Sequence, residues 1–243
     1  MLGISAPNTG SRFVVGVVGA GYLGRLLAAR LSAYQDVLVT DKVPSKASDL
    51  ALQVPVRAVN PEELFGTADV VVLVIPPEEI IPLLWREGDR LSNGSVVINM
   101  ASSLPTQEIA RVLAHRDVKV AGLKLLGQAY ALSLDLKVLF IYSSGDNCLY
   151  RSIADLFAPL GKVVPGDEKT VEVVNDLSTR FGLAMYLQLE KQLEEYQLTP
   201  EMKEVAIKAV AVGTILDFPP REPNEYINRR LDQVRQQCRD WRL

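Results

Sequence analysis

The sequence predicts a doubly wound α/β domain followed by an all-helical one. Two observations carry that expectation. From Phe13 to Val164, short β-branched runs alternate with stretches of helical periodicity. The runs lack polar alternation, which means strands buried on both faces, as in a mainly parallel sheet covered by helices. From Thr170 to Trp241 no strand signal remains. The expected organisation is a loose leader over residues 1–12, an α/β domain over 13–165 and a helical domain over 166–243, with the boundary near Gly166.

The elements follow in order. Phe13–Val18 is a continuous apolar run closed by glycine, and Tyr22–Tyr34 follows with Leu23, Leu26, Leu27 and Leu31 at helical spacing. Further strands are expected at Val37–Thr40, Val56–Val59, Val70–Ile75, Ser95–Asn99, Lys119–Gly122, Lys137–Tyr142 and Lys162–Val164. Helices are expected around Pro44–Leu52, Glu78–Trp85 and Thr106–Ala114. In the tail, Thr170–Tyr196 reads as one long helix. Thr199-Pro200-Glu201 opens the next, with Thr as N-cap, Pro at the first helical position and an acid in the first turn. That helix is expected to run to about Leu216. Phe218-Pro219-Pro220 breaks the pattern, and a last helix over Asn224–Trp241 carries Ile227, Leu231, Val234, Cys238 and Trp241 as a narrow apolar seam.

Composition excludes several classes. The 243 residues are 48% hydrophobic and 23% charged, which is globular usage. The net charge is −3, so no global field draws the chain to nucleic acid or to an anionic membrane. No apolar run approaches the ~18 residues of a membrane span. The leader lacks the basic and apolar regions of a secretory signal, so the expected location is cytoplasmic. The two cysteines, Cys148 and Cys238, suggest no disulfide framework and read as packing residues. A single histidine, His115, argues against a His-based metal cluster or a Ser-His-Asp triad. It reads as a solvated residue at a helix end, and no metal site is expected.

The chemical signal is Gly19-Ala20-Gly21-Tyr22-Leu23-Gly24, directly after the first strand and opening the first helix. In that setting Gly19 permits the tight turn, Gly21 lets the backbone approach a pyrophosphate, and Gly24 lets helix and strand pack closely. The helix N-terminus offers free N–H groups and a positive dipole end to the phosphates. Asp41 lies about 20 residues further on, at the end of the second strand, where a carboxylate meets the ribose hydroxyls of a dinucleotide. This is the Rossmann arrangement, and the cofactor it calls for is NAD or NADP. Asp41 favours NAD, because it would repel a 2′-phosphate. Lys42, Ser45 and Lys46 follow at once and would cradle a phosphate if Asp41 turned away. Further cofactor contacts are expected at strand carboxyl ends, from Ile75 and Pro76 after the fourth strand and from Asn99 and Ala101 after the fifth. Asn99 and Ser102 have a second reading, as caps ahead of Pro105.

Together the glycine motif, the Val70–Pro77 strand ending in proline, the strand tally and the helical tail resemble the pyrroline-5-carboxylate reductases. They fit the wider 6-phosphogluconate and β-hydroxyacid dehydrogenase-like enzymes more loosely. The resemblance runs from Phe13 to about Asp217. Leu177 and Ser178 match that family's tail-helix motif, whereas its second serine and its proline are absent from Thr179-Arg180-Phe181-Gly182-Leu183-Ala184-Met185-Tyr186. Gly122-Leu123-Lys124-Leu125-Leu126-Gly127-Gln128 replaces the family's Arg-x-Met-Pro-Asn-like segment. The resemblance implies hydride transfer to a C=N or C=O carbon of a small carboxylated substrate, and a homodimer through the helical domain. The apolar density of Thr170–Leu193 agrees with burial on all sides. The alternatives are a reductase-derived NAD(P)-binding regulatory protein without turnover, and a 6-phosphogluconate dehydrogenase-like or F420-dependent NADP oxidoreductase. Against the alcohol-oxidising version, Asn175 is present in the tail helix but the lysine expected four positions earlier is Val171.

The candidates for catalysis are Lys124, Ser178 and Arg180. Lys124, just past an expected strand end, would supply a proton or pair with a carboxylate, or else be a solvated surface lysine. Arg180 would clamp a carboxylate by bidentate hydrogen bonds, or else form a salt bridge. Ser178 is a polar group on an otherwise apolar helix. The arginines of the tail, from Arg221 to Arg242, are offset by acids and form no nucleic-acid patch.

Overall fold

The structure, a computed structural model, describes residues 12–220 and 225–238. The expected leader up to residue 11, Arg221 and the last helix beyond Cys238, Trp241 and Arg242 included, lie outside the described residues. The chain divides into two compact units, the first ending at Leu177 and the second beginning at Ser178.

The first unit alternates strands and helices: β1 (Val14–Val18), α1 (Tyr22–Leu31), β2 (Asp36–Thr40), α2 (Pro44–Ala51), β3 (Arg57–Ala58), α3 (Pro61–Thr67), β4 (Val70–Leu73), α4 (Pro77–Glu87), β5 (Val96–Asn99), α5 (Thr106–Val112), β6 (Lys119–Leu126), α6 (Ala129–Ser133), β7 (Leu139–Ser143), α7 (Asn147–Phe157) and β8 (Lys162–Pro165). The strand order is β3-β2-β1-β4-β5-β6-β7-β8. Every pairing is parallel except β6 with β7. The expected fold class is the one observed.

The continuous apolar runs are explained by the two layers they serve. On one face Val15, Val17, Val37, Val39, Val72 and Ile98 pack on Leu27 and Leu31 of α1 and Ile153 and Phe157 of α7. On the other Val18, Leu38, Val71, Leu73 and Val97 pack on Leu64 and Phe65 of α3 and Ile80 and Leu84 of α4. Each such side chain contributes ~1.5–3 kcal/mol on full burial. Gly16 faces the second layer, where an added Cβ would stand 2.6 Å from Leu64 Cδ2.

Three helices were not anticipated. Asn60 caps α3 by accepting from Glu63 N–H at 2.8 Å, with Pro61 at the first helical position. Asp146 caps α7 through Cys148 and Leu149 N–H, both at 2.9 Å. α6 is a short helix in the β6–β7 connection. β6 also outruns its expected end at Gly122, because Leu123 to Leu126 pair with β7 beyond the level of β5.

α8 (Glu168–Leu193) begins in the first unit and continues into the second. The second unit also holds α9 (Pro200–Val205), a π-helical segment Ala206–Ala211, α10 (Val212–Asp217) and α11 (Glu225–Cys238). Thr199 caps α9 as expected, accepting from Met202 N–H at 3.2 Å. The single helix expected from there to Leu216 is instead interrupted by the π segment. Burial on all sides of the first tail helix does not occur within one chain: Leu183 is 59% and Leu187 61% exposed.

Candidate functional site

The glycine loop joins β1 to α1. Gly19 has φ +108°, and a Cβ there would stand 2.4 Å from Val74 O, so the turn admits only glycine. Its N–H donates to Thr40 O at 2.8 Å, tying the loop to β2. A Cβ on Gly24 would meet Gly19 O at 1.9 Å, so this glycine sets how closely helix and strand approach. Gly21 differs: nothing lies within 4 Å of where its Cβ would be. Its smallness serves no neighbour in the protein and leaves the backbone bare on the outer side. No side chain caps α1, whose first backbone bond within the helix runs from Arg25 N–H to Gly21 O. The N–H groups of Tyr22, Leu23 and Gly24 precede that bond at the positive end of the helix. A bare glycine before an uncapped helix end is a cradle that fits a pyrophosphate. Ala20 is buried, Leu23 half-buried and Tyr22 exposed, with its hydroxyl 2.9 Å from Ser133 Oγ.

Asp41 closes the loop from the side. Its Oδ2 accepts from Ala20 N–H at 2.7 Å and its Oδ1 from Val43 N–H at 2.9 Å. The carboxylate is thereby held in place, with acceptor capacity left on both oxygens. Beside it a cavity of about 320 Å³ opens between the ends of β2 and β4 and the helix α4. Asp41, Lys42 and Ile75 line it, as do residues not anticipated: Pro61, Glu78, Glu79 and Arg86. Lys42 Nζ is ion-paired with Glu79, which raises the lysine pKa through that hydrogen bond and charge. Pro76 is the N-cap residue of α4 and is exposed, next to Pro77 at the first helical position. The signal for Glu78 and Glu79 was present as acids in the first turn after a proline pair.

Asn99, Ala101 and Lys124 do not line this cavity. Asn99 is fully buried, and its side chain is consumed by the following loop. Nδ2 donates to Leu104 O at 2.8 Å and Thr106 Oγ1 at 3.2 Å, while Oδ1 accepts from Ala101 N–H at 3.0 Å. The side chain ties together the loop between β5 and α5 and accepts from no N–H group of α5, so it is not the helix cap that its second reading expected. Ala101 is 7% exposed, with its N–H taken by Asn99 and its carbonyl by Lys124.

Lys124 lies inside β6, not past its end, and is completely buried. Its ammonium donates to Ala101 O, to Leu104 O at 3.1 Å, and sits 3.5 Å from Glu168 Oε2. Burial outweighs the neighbouring carboxylate and lowers its pKa to about 8. The solvated reading of Lys124 is therefore corrected: its ammonium is fully buried and held by two carbonyls and a carboxylate. Glu168 meanwhile caps α5, accepting from Thr106 N–H at 2.9 Å and Thr106 Oγ1 at 2.6 Å. Burial works to raise the Glu168 pKa, but the Thr106 hydrogen bonds and Lys124 together lower it.

Ser178 and Arg180 are exposed residues of α8 in the second unit. Asn175, also on α8, belongs to the first unit and holds the end of β6: Nδ2 donates to Leu125 O at 2.8 Å and Oδ1 accepts from Gly127 N–H at 3.2 Å. Val171, four positions earlier, is buried. His115 is exposed and pairs with Asp89 at 2.7 Å, as its solvated reading requires. Cys148 is exposed on α7, which corrects its expected packing role. Among the described residues no group of His, Cys, Asp and Glu could hold a metal, and no helix is long and apolar enough to cross a membrane.

Residues 14–103 match the family model described as NADP oxidoreductase, coenzyme F420-dependent. That segment runs from β1 through β5 and includes the glycine loop, Asp41 and the cavity. The solved pyrroline-5-carboxylate reductase of Coxiella burnetii superimposes with a TM-score of 0.71 at 19% identity, over 94% of this chain and 85% of its own. The chain has the fold of the pyrroline-5-carboxylate reductases. That fold is shared more widely. The reductive aminase of Aspergillus terreus, in complex with NADPH and ethyl-5-oxohexanoate, matches with a TM-score of 0.65 at 14% identity, over 92% of this chain and 79% of its own. The 3-hydroxyisobutyrate dehydrogenase of Mycobacterium tuberculosis matches with a TM-score of 0.62 at 18% identity, over 82% of this chain and 71% of its own. No curated protein matches by sequence.

Proposed function

We propose that the protein is a nicotinamide-dependent reductase that delivers hydride to a C=N or C=O carbon of a small carboxylated substrate. The observation that carries this reading is Gly21: a Cβ-free backbone position facing open space, at the uncapped end of α1, beside a fixed carboxylate. The nicotinamide supplies the hydride when bound. This chain's residues bind and orient. The first N–H groups of α1 receive the pyrophosphate, Asp41 receives the ribose hydroxyls, and Ile75 and Pro76 form an apolar wall. NAD is the preferred cofactor in this reading, because the Asp41 carboxylate would repel a 2′-phosphate. Arg180 is the proposed carboxylate clamp and Ser178 a hydrogen-bonding partner of the substrate.

The fold of imine-reducing enzymes and the NADP oxidoreductase match over residues 14–103 support the reaction class. The exposed apolar residues of the second unit, among them Phe181, Leu183, Leu187 and Ile215, support a homodimer through the helices. Sedimentation equilibrium checks it: a monomer at micromolar concentration would remove this part of the reading.

The test of the whole proposal is a parallel titration with NADH and NADPH followed by nicotinamide fluorescence. Pyrroline-5-carboxylate and a panel of imines, 2-keto and 3-keto acids are then offered to the reduced complex. Binding with oxidation of the cofactor is expected, and Arg180→Ala should raise KM more than it lowers kcat. No binding of either cofactor would sink the proposal. The locked Lys124 favours a second reading, a regulatory protein that binds the cofactor without turnover, and tight binding with no substrate oxidising the cofactor would select it.

A further inference from the structure

The cavity beside Asp41 carries an uneven charge. Asp41, Glu78 and Glu79 face Lys42 and Arg86 around about 320 Å³. A phosphate monoester brings about −1.5 to −2 at neutral pH, so a 2′-phosphate would enter a cavity already short of positive charge. Lys42 is the cation nearest to the ribose position in sequence, directly after Asp41, and its ammonium is already committed to Glu79.

The two partners are held unequally. The Glu79 side chain is 29% exposed and the Lys42 side chain 66%. Glu79 lies in the first turn of α4, where the helix dipole favours a carboxylate. The glutamate is therefore the anchored member and the lysine the member it captures. An exposed pair of this kind adds little to folding, so its consequence is felt by whatever enters the cavity.

We propose that Glu79 is a specificity-determining residue: by holding the Lys42 ammonium it withholds the cation a 2′-phosphate would need, and so selects NADH over NADPH. The proposal rests on reading the glycine loop as a dinucleotide site and adds to it a residue outside the glycine motif. Glu79 acts through Lys42 and is a positioning residue rather than a ligand of the cofactor.

The experiment measures dissociation constants for NADH and NADPH on the full chain at low salt. The variants are wild type, Glu79→Gln, Lys42→Ala and the double variant. Wild type is expected to prefer NADH. Glu79→Gln should tighten NADPH roughly three- to fivefold, the scale of one exposed ion pair, while NADH changes less than about twofold. The gain should vanish in the Lys42→Ala background, since a double-mutant cycle isolates the pair. A preference of wild type for NADPH overturns the proposal, as does an unchanged NADPH affinity in Glu79→Gln. So does a gain that persists without Lys42. Equal weakening of both cofactors would mean that Glu79 only supports α4. Failure of wild type to bind either cofactor is a different result: it removes the dinucleotide reading itself, and the specificity proposal with it.

Discussion

Beyond β1, β2 and β4 the protein leaves its backbone open, whereas beyond β5 and along β6 it fills the equivalent space with its own polar groups. In the first region Gly21 faces nothing within 4 Å and no side chain caps α1. In the second, Asn99, Thr106, Lys124 and Glu168 satisfy one another and the carbonyls of residues 101 and 104. The two regions contain similar residue types. What separates them is whether the hydrogen-bonding groups are already spent. A group that has its partners inside the chain supports the fold, and one that lacks them is available to a ligand.

The closed region can be broken most severely at Glu168. Glu168→Ala removes the α5 cap and leaves the Lys124 ammonium buried without its counter-charge. Breaking one partner of a buried pair costs roughly 3–5 kcal/mol, and urea unfolding of the full chain should show a loss of that order. The Lys124→Met/Glu168→Ala double variant should lose less than Glu168→Ala alone, because no uncompensated charge remains. Simple additivity of the two losses would show that the lysine and glutamate do not act as a pair.

Lys124 also gives the closed region a pH signature. Its pKa falls to about 8 on folding, from 10.5. Below pH 8 both folded and unfolded chains carry the proton, and the penalty of burying it is constant. Between pH 8 and 10.5 the unfolded chain still holds a proton that the folded chain has lost, so stability rises with pH across that window. Relative to Lys124→Met, the wild type should gain about 3 kcal/mol over the window. A flat difference between the two profiles would mean that the lysine stays charged in the folded state.

This contrast sets what could be read in advance. The glycine loop was legible because its evidence is local: three glycines at fixed spacing, a strand before, a helix after, an acid at the next strand end. Lys124 was not, because its burial depends on β6 continuing past β5 to pair with β7, and on the first turn of α8 returning Glu168 to it. Nothing near residue 124 announces a partner at 168. Asn99 stood between: its position at a strand end was visible, but its bonds to Leu104 and Ala101 depend on the path of the loop after β5. The cap of α3 was local as well, Asn60-Pro61-Glu62-Glu63, but the helix is too short to show a periodicity. Glu79 carried a local sign as a first-turn acid, and its pairing with Lys42 required the parallel β2–β1–β4 order to bring the two loops together.

The open region makes the most selective prediction, although its expected effect is smaller in free energy. Gly21 has φ −71°, which any residue adopts, and a Cβ there meets no protein atom. Gly21→Ala should therefore keep the wild-type unfolding midpoint, within about 0.5 kcal/mol. It should still weaken cofactor binding at least tenfold, about 1.4 kcal/mol, because the methyl group occupies the approach to the helix N-terminus. Gly24→Ala is the counterpart: its Cβ would stand 1.9 Å from Gly19 O, so stability and binding must fall together. If Gly21→Ala bound both dinucleotides as tightly as wild type, the open backbone would serve no ligand there, and the distinction between the two regions would lose its functional meaning.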